Sequence, residues 1–354
     1  MTSLWTERAA AAEKAVRSRY LHRVGGAVPG TRIGRIRSPR PAAPRARARG
    51  LVGPWHYWWQ AHLLDCLVDA QIRAPEPRRA TAIAGMVRGV RLRNLGRWTN
   101  DYYDDIAWFG LAVQRAGPRA RSGPRAIAAI TARLRAGHTT DLGGGIHWRR
   151  NDDFKNAPAN GPAAILLARA GDVEQAAEIT DWLADTLVDP DTGLVIDGVR
   201  PGADGPTRAT TTYTYCQGVY LGACVELAQR DGDRRWGERA EAVLVATATH
   251  LAEPAGVVGG YDDGGDGGLF NGILARYLAD AAVRMPALPH ARDLVLASAE
   301  SVWEHRAATP HGPAFAHDWR RPARVPGPDA PEGDLSVQLS AWMLLEAAAR
   351  LTSR

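Results

Sequence analysis

The sequence predicts an all-α protein, an (α/α)6 barrel built as a toroid of six helical hairpins, and three observations carry that prediction. Strand signals are nearly absent along the 354 residues. Helical apolar periodicity returns twelve times, separated by Gly, Pro and Asp punctuation. The helices also alternate in character.

The expected helices span 4–22, 55–73, 77–95, 104–115, 124–135, 160–169, 173–188, 212–230, 234–251, 267–284, 291–305 and 334–350. Odd-numbered ones, such as RAAAAEKAVRSR and RRATAIAGMVRGVRLR, carry an apolar stripe opposite charges, as suits a helix with one side in water. Even-numbered ones open on WHYWWQAH, DDIAWFG, NAPANG, TTYTYCQG, DGGDGGLFNG and GDLSVQLSAW, then continue nearly uncharged. Helices apolar most of the way round belong in an interior. Antiparallel succession makes the six interior helices parallel, so their polar and aromatic first turns form one mouth. The whole of 1–354 reads as one catalytic domain. Within it, 24–53 is expected to be a basic, Pro/Arg-rich loop or insertion.

Much of the net charge of +6 sits in TRIGRIRSPRPAAPRARARG, read as a loop or mobile arm. Its arginines suit an anionic glycolipid or membrane surface, or simply solvent. No nucleic-acid reader motif accompanies them, so no nucleic-acid partner is expected. Three cysteines without a CxxC pair argue for a reducing compartment, with Cys66 and Cys224 in core patterns. Neither a signal-peptide core nor an integral membrane segment is visible, so a cytoplasmic location is expected. The dispersed histidines make no metal cage, and GxSxG and Walker motifs are absent.

The chemical centre is Asn100-Asp101-Tyr102-Tyr103-Asp104-Asp105-Ile106-Ala107-Trp108, with three carboxylates opening an interior helix. Such residues also cap ordinary helices. Here, however, five other sugar-suited segments converge on the same end. Glycoside cleavage uses one carboxylate as nucleophile or base and one carboxylic acid for the leaving oxygen. A helix N-terminus favours an ionised carboxylate, and its charge pushes a neighbour toward the protonated form. Asp104 and Asp105 are therefore the candidate catalytic pair, with their individual roles open at this level.

Around them, Trp55, Tyr57, Trp58, Tyr103, Trp108 and Trp148 could stack on sugar rings. Gly144 and Gly145 offer a close backbone approach, while Asn156, Asn160, Tyr215 and Gln217 suit sugar hydroxyls or helix caps. Asp197 and Asp266 are further carboxylate candidates. Trp5, Trp182, Trp236 and Trp303, on odd helices, are expected to be packing.

The blocks YYDDIAWFGLA, GGGIHWRR, KNAPANG, TYTYCQGVYLGA and LFNGILARYL resemble, in order and spacing, those of glycoside hydrolase family 76, over about 55–277. The resemblance implies an (α/α)6 fold and retaining endo-α-1,6-mannanase activity on α-mannan, with no cofactor. It also implies Asp104 as nucleophile and Asp105 as acid/base. Cys216 stands where the family more often has Asn, and Asn271 where Lys is common. Many family members are secreted. The alternatives are a non-catalytic glycan-binding toroid, a transglycosylase, or a sugar epimerase or unsaturated-uronyl hydrolase. An epimerase would call on His56, His62 or His147.

Overall fold

The computed structural model describes residues 4–39, 55–259 and 264–353. Among them are twelve α-helices: α1 (Leu4–Tyr20), α2 (Tyr57–Arg73), α3 (Pro77–Arg93), α4 (Tyr103–Ala116), α5 (Gly123–Arg135), α6 (Ala157–Arg169), α7 (Val173–Leu187), α8 (Thr214–Ala228), α9 (Arg234–His250), α10 (Phe270–Arg284), α11 (Ala291–Glu304) and α12 (Leu335–Thr352). Each of the even helices packs on the next, and α12 packs on α2 to close the ring. The odd helices lie outside, each packed on at least one inner helix, α3 on α2 and α9 on α8 for example. The fold is the expected (α/α)6 toroid.

Side-chain chemistry explains the division. In α8 every residue from Cys216 to Leu227 is buried, and α12 is buried from Leu335 to Ala349. Such helices hold their shape only with partners on all sides. α5 buries just Gly123, Ala126, Ile130, Thr131 and Leu134, a single stripe at helical spacing. Trp182 and Trp236 of the outer layer are buried packing groups, as expected, and Trp5 and Trp303 sandwich the Arg8 guanidinium at 4.6 and 5.2 Å. All three cysteines are free and buried.

The two ends of the ring differ in their connections. Chain passing from an inner helix to the next outer one is brief, as in 74–76 and 170–172. Chain entering an inner helix is long: 94–102, 136–156, 188–213 and 305–334. These long connections carry structure that the sequence pattern concealed. Seven strands of two or three residues form β1–β2 (Leu21–His22, Ile33–Gly34), β3–β4–β5 (Lys155–Asn156, Gly198–Arg200, Thr207–Ala209) and β6–β7 (Ala307–Thr309, Gly312–Ala314), all antiparallel. Strands this short show no alternation that could be read.

The basic segment also departs from expectation. Its described part, 24–39, is docked rather than a free arm. Ile33 and Gly34 are buried, the Arg32 N–H donates to the Gly85 carbonyl at 2.8 Å, and the Ser38 N–H to the Gly333 carbonyl at 2.8 Å. A Cβ on Gly89 would stand 1.9 Å from the Arg32 carbonyl oxygen, so only glycine lets the segment lie on α3. Residues 40–53 lie outside the described residues.

At the closed end, opposite the long connections, ion pairs tie the inner helices together. Arg115 of α4 and Arg276 of α10 both pair with Asp65 and Asp69 of α2. Arg73 joins Glu346 of α12 at 2.8 Å and Glu13 of α1 at 3.0 Å. No described helix is long and apolar enough to cross a membrane.

Candidate active site

The inner-helix N-termini surround a cleft of about 540 Å³. Asp104 and Asp105 occupy the second and third positions of α4, after the non-helical Tyr102. Backbone pairing builds their surroundings. The Tyr103 N–H donates to the Trp148 carbonyl at 2.9 Å, and the Trp148 N–H to the Phe154 carbonyl at 2.7 Å. This ribbon delivers the Trp148 indole, whose Nε1–H donates to Asp104 Oδ2 at 3.0 Å. The Asp105 backbone N–H donates to Asp104 Oδ1 at 2.8 Å, so both oxygens of Asp104 are held. Asp105 takes a different partner: Asn100 Nδ2 donates to its Oδ2 at 2.6 Å.

These contacts separate the two carboxyls electrically. Burial pushes Asp104 up to about 6, against the pull of its two N–H donors. Burial pushes Asp105 well above the usual carboxylate range, and the Asp104 charge beside it pushes further. The first proton to leave the pair therefore leaves Asp104, and Asp105 keeps its own.

Two walls rise from this floor. On one, Tyr102 meets Trp148 edge to face with ring centroids 5.2 Å apart. On the other, Tyr215 stacks on Phe270 at 4.0 Å, with Tyr213 5.0 Å from the same ring. Trp58 projects into the cleft from the first turn of α2, and Asp266 bridges it to Trp59. Both indoles donate to Asp266 Oδ1, at 3.1 and 2.8 Å, and His56 Nδ1 stands 4.0 Å away. Asp197 comes from the connection between α7 and α8. The Ala157 N–H donates to its carbonyl at 2.9 Å, and its own N–H to the Thr211 carbonyl at 2.8 Å. Burial raises its carboxyl to about 6.

Of the residues expected at the site, Asp104, Asp105, Tyr57, Trp58, Trp108, Trp148, Asn156, Asp197, Tyr215 and Asp266 line the cleft. Six do not, and each has a structural occupation instead. Trp55 packs edge to face on Tyr57 beneath the Arg93 guanidinium. Tyr103 is buried against Gly137. Asn160 is fully buried; its Oδ1 accepts from the Ile146 N–H, and its Nδ2 donates to the Ile146 and Asn156 carbonyls. Gln217 clamps Val195 in the same two-way manner. Gly144 and Gly145 lie against Trp182; a Cβ on Gly145 would stand 2.7 Å from that ring, at a φ of +78°. Their loop is pinned by the buried Lys155, whose Nζ donates to the Asp141 and Gly144 carbonyls at 2.5 and 2.6 Å. Burial brings that ammonium down to about 8.

Four cleft residues had no separate signal in the sequence: Phe154, Arg200, Tyr213 and Phe270. Arg200 lies over the Phe154 ring at 4.6 Å and pairs with Asp152 and Asp153. Of the histidines considered for an epimerase, only His56 reaches the cleft. His62 is buried beneath, between Trp58 and Trp108, and burial holds it neutral. Asn271 is buried and accepts from Thr214 Oγ1 at 2.8 Å; Cys216 is buried as well. No cluster able to hold a metal occurs among the described residues. A cavity of about 590 Å³ at the opposite end is lined by the ion-paired groups that join the helices there.

A six-hairpin toroid with two half-buried carboxyls on the floor of an aromatic cleft is the architecture of an α/α-barrel glycosidase. The chain belongs to glycosyl hydrolase family 76, whose sequence model matches residues 6–352. That match extends beyond the 55–277 of the recognised blocks to include α1 and the last two helices. Its structure is similar to the α-1,6-mannanase GH76A of Salegentibacter sp. HEL1_6, with 29% identity over 98% of this chain and 99% of that one and a TM-score of 0.83. An inactive variant of that mannanase, with two consecutive aspartates changed to asparagine, has been solved with α-1,6-mannotriose. A protein from Listeria innocua is similar at 26% identity, covering 99% of this chain and 98% of its own, with a TM-score of 0.84. Among curated proteins, the mannan endo-1,6-α-mannosidase DFG5 of Candida albicans is 24% identical over 236 residues, 57% of this chain. The chain spans about half (52%) of that relative's length.

Proposed function

We propose that the protein hydrolyses α-1,6-mannosidic linkages with retention of configuration, Asp104 acting as nucleophile and Asp105 as acid/base. The observation that carries this reading is the asymmetry of the half-buried pair. Asp104 has both oxygens held by N–H donors at a helix start, and Asp105 keeps a proton beside that charge.

In the first step an Asp104 oxygen attacks the anomeric carbon. The bond from that carbon to the linking oxygen breaks, and Asp105 gives its proton to that departing oxygen, which leaves as a hydroxyl. In the second, the Asp105 carboxylate takes a proton from water. That water attacks the same carbon and releases Asp104. The stacked Tyr215–Phe270 wall and the Trp58 and Trp148 faces give apolar surfaces for sugar rings, and Asp197 and Asp266 accept from hydroxyls. The mannan ligands of the Salegentibacter enzyme support this substrate class.

The test is NMR of products released from linear α-1,6-mannooligosaccharides at early times. The α-anomer should appear first, and Asp104→Asn and Asp105→Asn should each abolish release while the melting profile is kept. Early β-anomer sinks retention. Binding without cleavage by the wild type would make the protein a glycan-binding module, and sugar transfer products would make it a transglycosylase.

A further inference from the structure

The outward face of α3 and the turn after it present cations and apolar groups with no carboxylate among them. No acidic residue occurs between Glu76 and Asp101, nor between Glu13 and Asp65. Arg88, Arg91 and Leu92 fall three and four apart, which places them on one stripe of α3, and Leu95 follows two residues after the helix ends at Arg93. All four are exposed, as is Arg97. Leu95 leaves 86% of its surface in solvent and Leu92 leaves 47%. Leu95 has a φ of +53°, a conformation uncommon for a side chain of its bulk, and stands at the tip of the turn. The arginine Nε groups of Arg88 and Arg91 donate to the carbonyls of Gly30 and Gly96, at 2.7 and 2.9 Å; bonds to neutral carbonyls leave the charges uncompensated. The Gly30 bond also lays the turn bearing the exposed Val28 beside the stripe.

This surface adjoins the cleft. The turn runs directly into Asn100 and Tyr102. The Trp98 ring, beneath the Arg91 guanidinium at 4.8 Å, belongs to a residue whose carbonyl accepts from the Tyr57 hydroxyl at 2.8 Å.

We propose that the α3 face docks on an anionic phospholipid bilayer, beside the mouth of the cleft. The arginines lie among lipid phosphates, and Leu92 and Leu95 enter the boundary between headgroups and acyl chains. A nucleic acid would engage the arginines through its phosphates but has no use for protruding leucines. A bilayer surface takes both. The inference does not depend on which reaction the cleft performs.

The test is sedimentation of the full chain with vesicles of phosphatidylcholine alone, and of phosphatidylcholine mixed with phosphatidylglycerol, across a sodium chloride series. Binding is expected only with phosphatidylglycerol and should weaken as salt rises. Joint Arg88→Gln, Arg91→Gln and Arg97→Gln substitution should weaken it on the order of a hundredfold. Joint Leu92→Ser and Leu95→Ser substitution should weaken it at least about tenfold with the salt dependence retained. Circular dichroism on the same samples checks that both variants keep their helices. Equal sedimentation with the two lipids, or indifference to the arginine changes, overturns the proposal. So does binding that survives the leucine changes and is competed away by RNA, which would make the patch a nucleic-acid site.

Discussion

Trp148, on the connection before α6, meets Asp104 in the first turn of α4, the indole Nε1–H reaching the carboxylate Oδ2 at 3.0 Å. The donor favours the ionised form of Asp104, so its loss should be visible both in rate and in pH dependence. Trp148→Phe keeps a ring against Tyr102 and removes the N–H. A hydrogen bond to a charged group is worth about 1.5–3 kcal/mol, so kcat/KM should fall roughly tenfold to a hundredfold. The acid limb of the pH–kcat/KM profile should move to higher pH. An unmoved limb would mean that the indole does not govern Asp104.

The proposed mechanism needs Asp104 ionised and Asp105 protonated. Activity should therefore rise with pH around 6, where Asp104 titrates, and fall at higher pH as Asp105 loses its proton. The charge of Asp266 pushes both carboxyls upward. In Asp266→Asn both limbs should shift to lower pH, measured on soluble mannooligosaccharide. A change in KM with both limbs fixed would restrict Asp266 to holding substrate.

Glu226 offers a stability test far from the cleft. Burial alone would raise its carboxyl, but Arg284 and Arg169 overcome that and bring it from 4.5 to about 2. A folded value below the unfolded one contributes stability that is full above about pH 4.5 and is lost as pH falls toward 2. The contribution is about 3 kcal/mol at neutral pH. Chemical denaturation should show wild type more stable than Glu226→Gln at pH 7, with the gap closing between pH 5 and pH 2. A gap independent of pH would assign the loss to packing.

Gly145 is the point where loop geometry meets chemistry. Alanine there meets the Trp182 ring at 2.7 Å with a φ of +78°. Gly145→Ala should cost at least about 1 kcal/mol in denaturant melts. It should also lower kcat, because the same ribbon carries Trp148 to Asp104. Unchanged activity in a destabilised variant would uncouple the loop from the site.

The ring and its aspartate pair were legible because each rests on a repeated or local pattern. Inner helices such as α8 are apolar round their circumference, outer ones such as α5 on one stripe, and that contrast survives in single letters. The amides were not legible. Asn160 and Gln217 sit at inner-helix starts like true ligand groups, yet both satisfy buried backbone at Ile146 and Val195. A buried polar residue is required in either case, and composition does not say what it faces. Phe154 and Arg200 were missed because they come from or flank strands of two or three residues, too short to have a period. The Gly-rich loop misled for a related reason: its glycines make room for Trp182 rather than for a sugar.

Helix α12 packs against both α1 and α2. The barrel therefore has a seam whose two sides are made at opposite times during synthesis. Until α12 has emerged from the ribosome, α2 and α10 each present an apolar flank with no neighbour, and the cleft has no closed floor. A nascent chain of this design stays adhesive until α12 is made, and chaperone demand should peak just before that helix emerges.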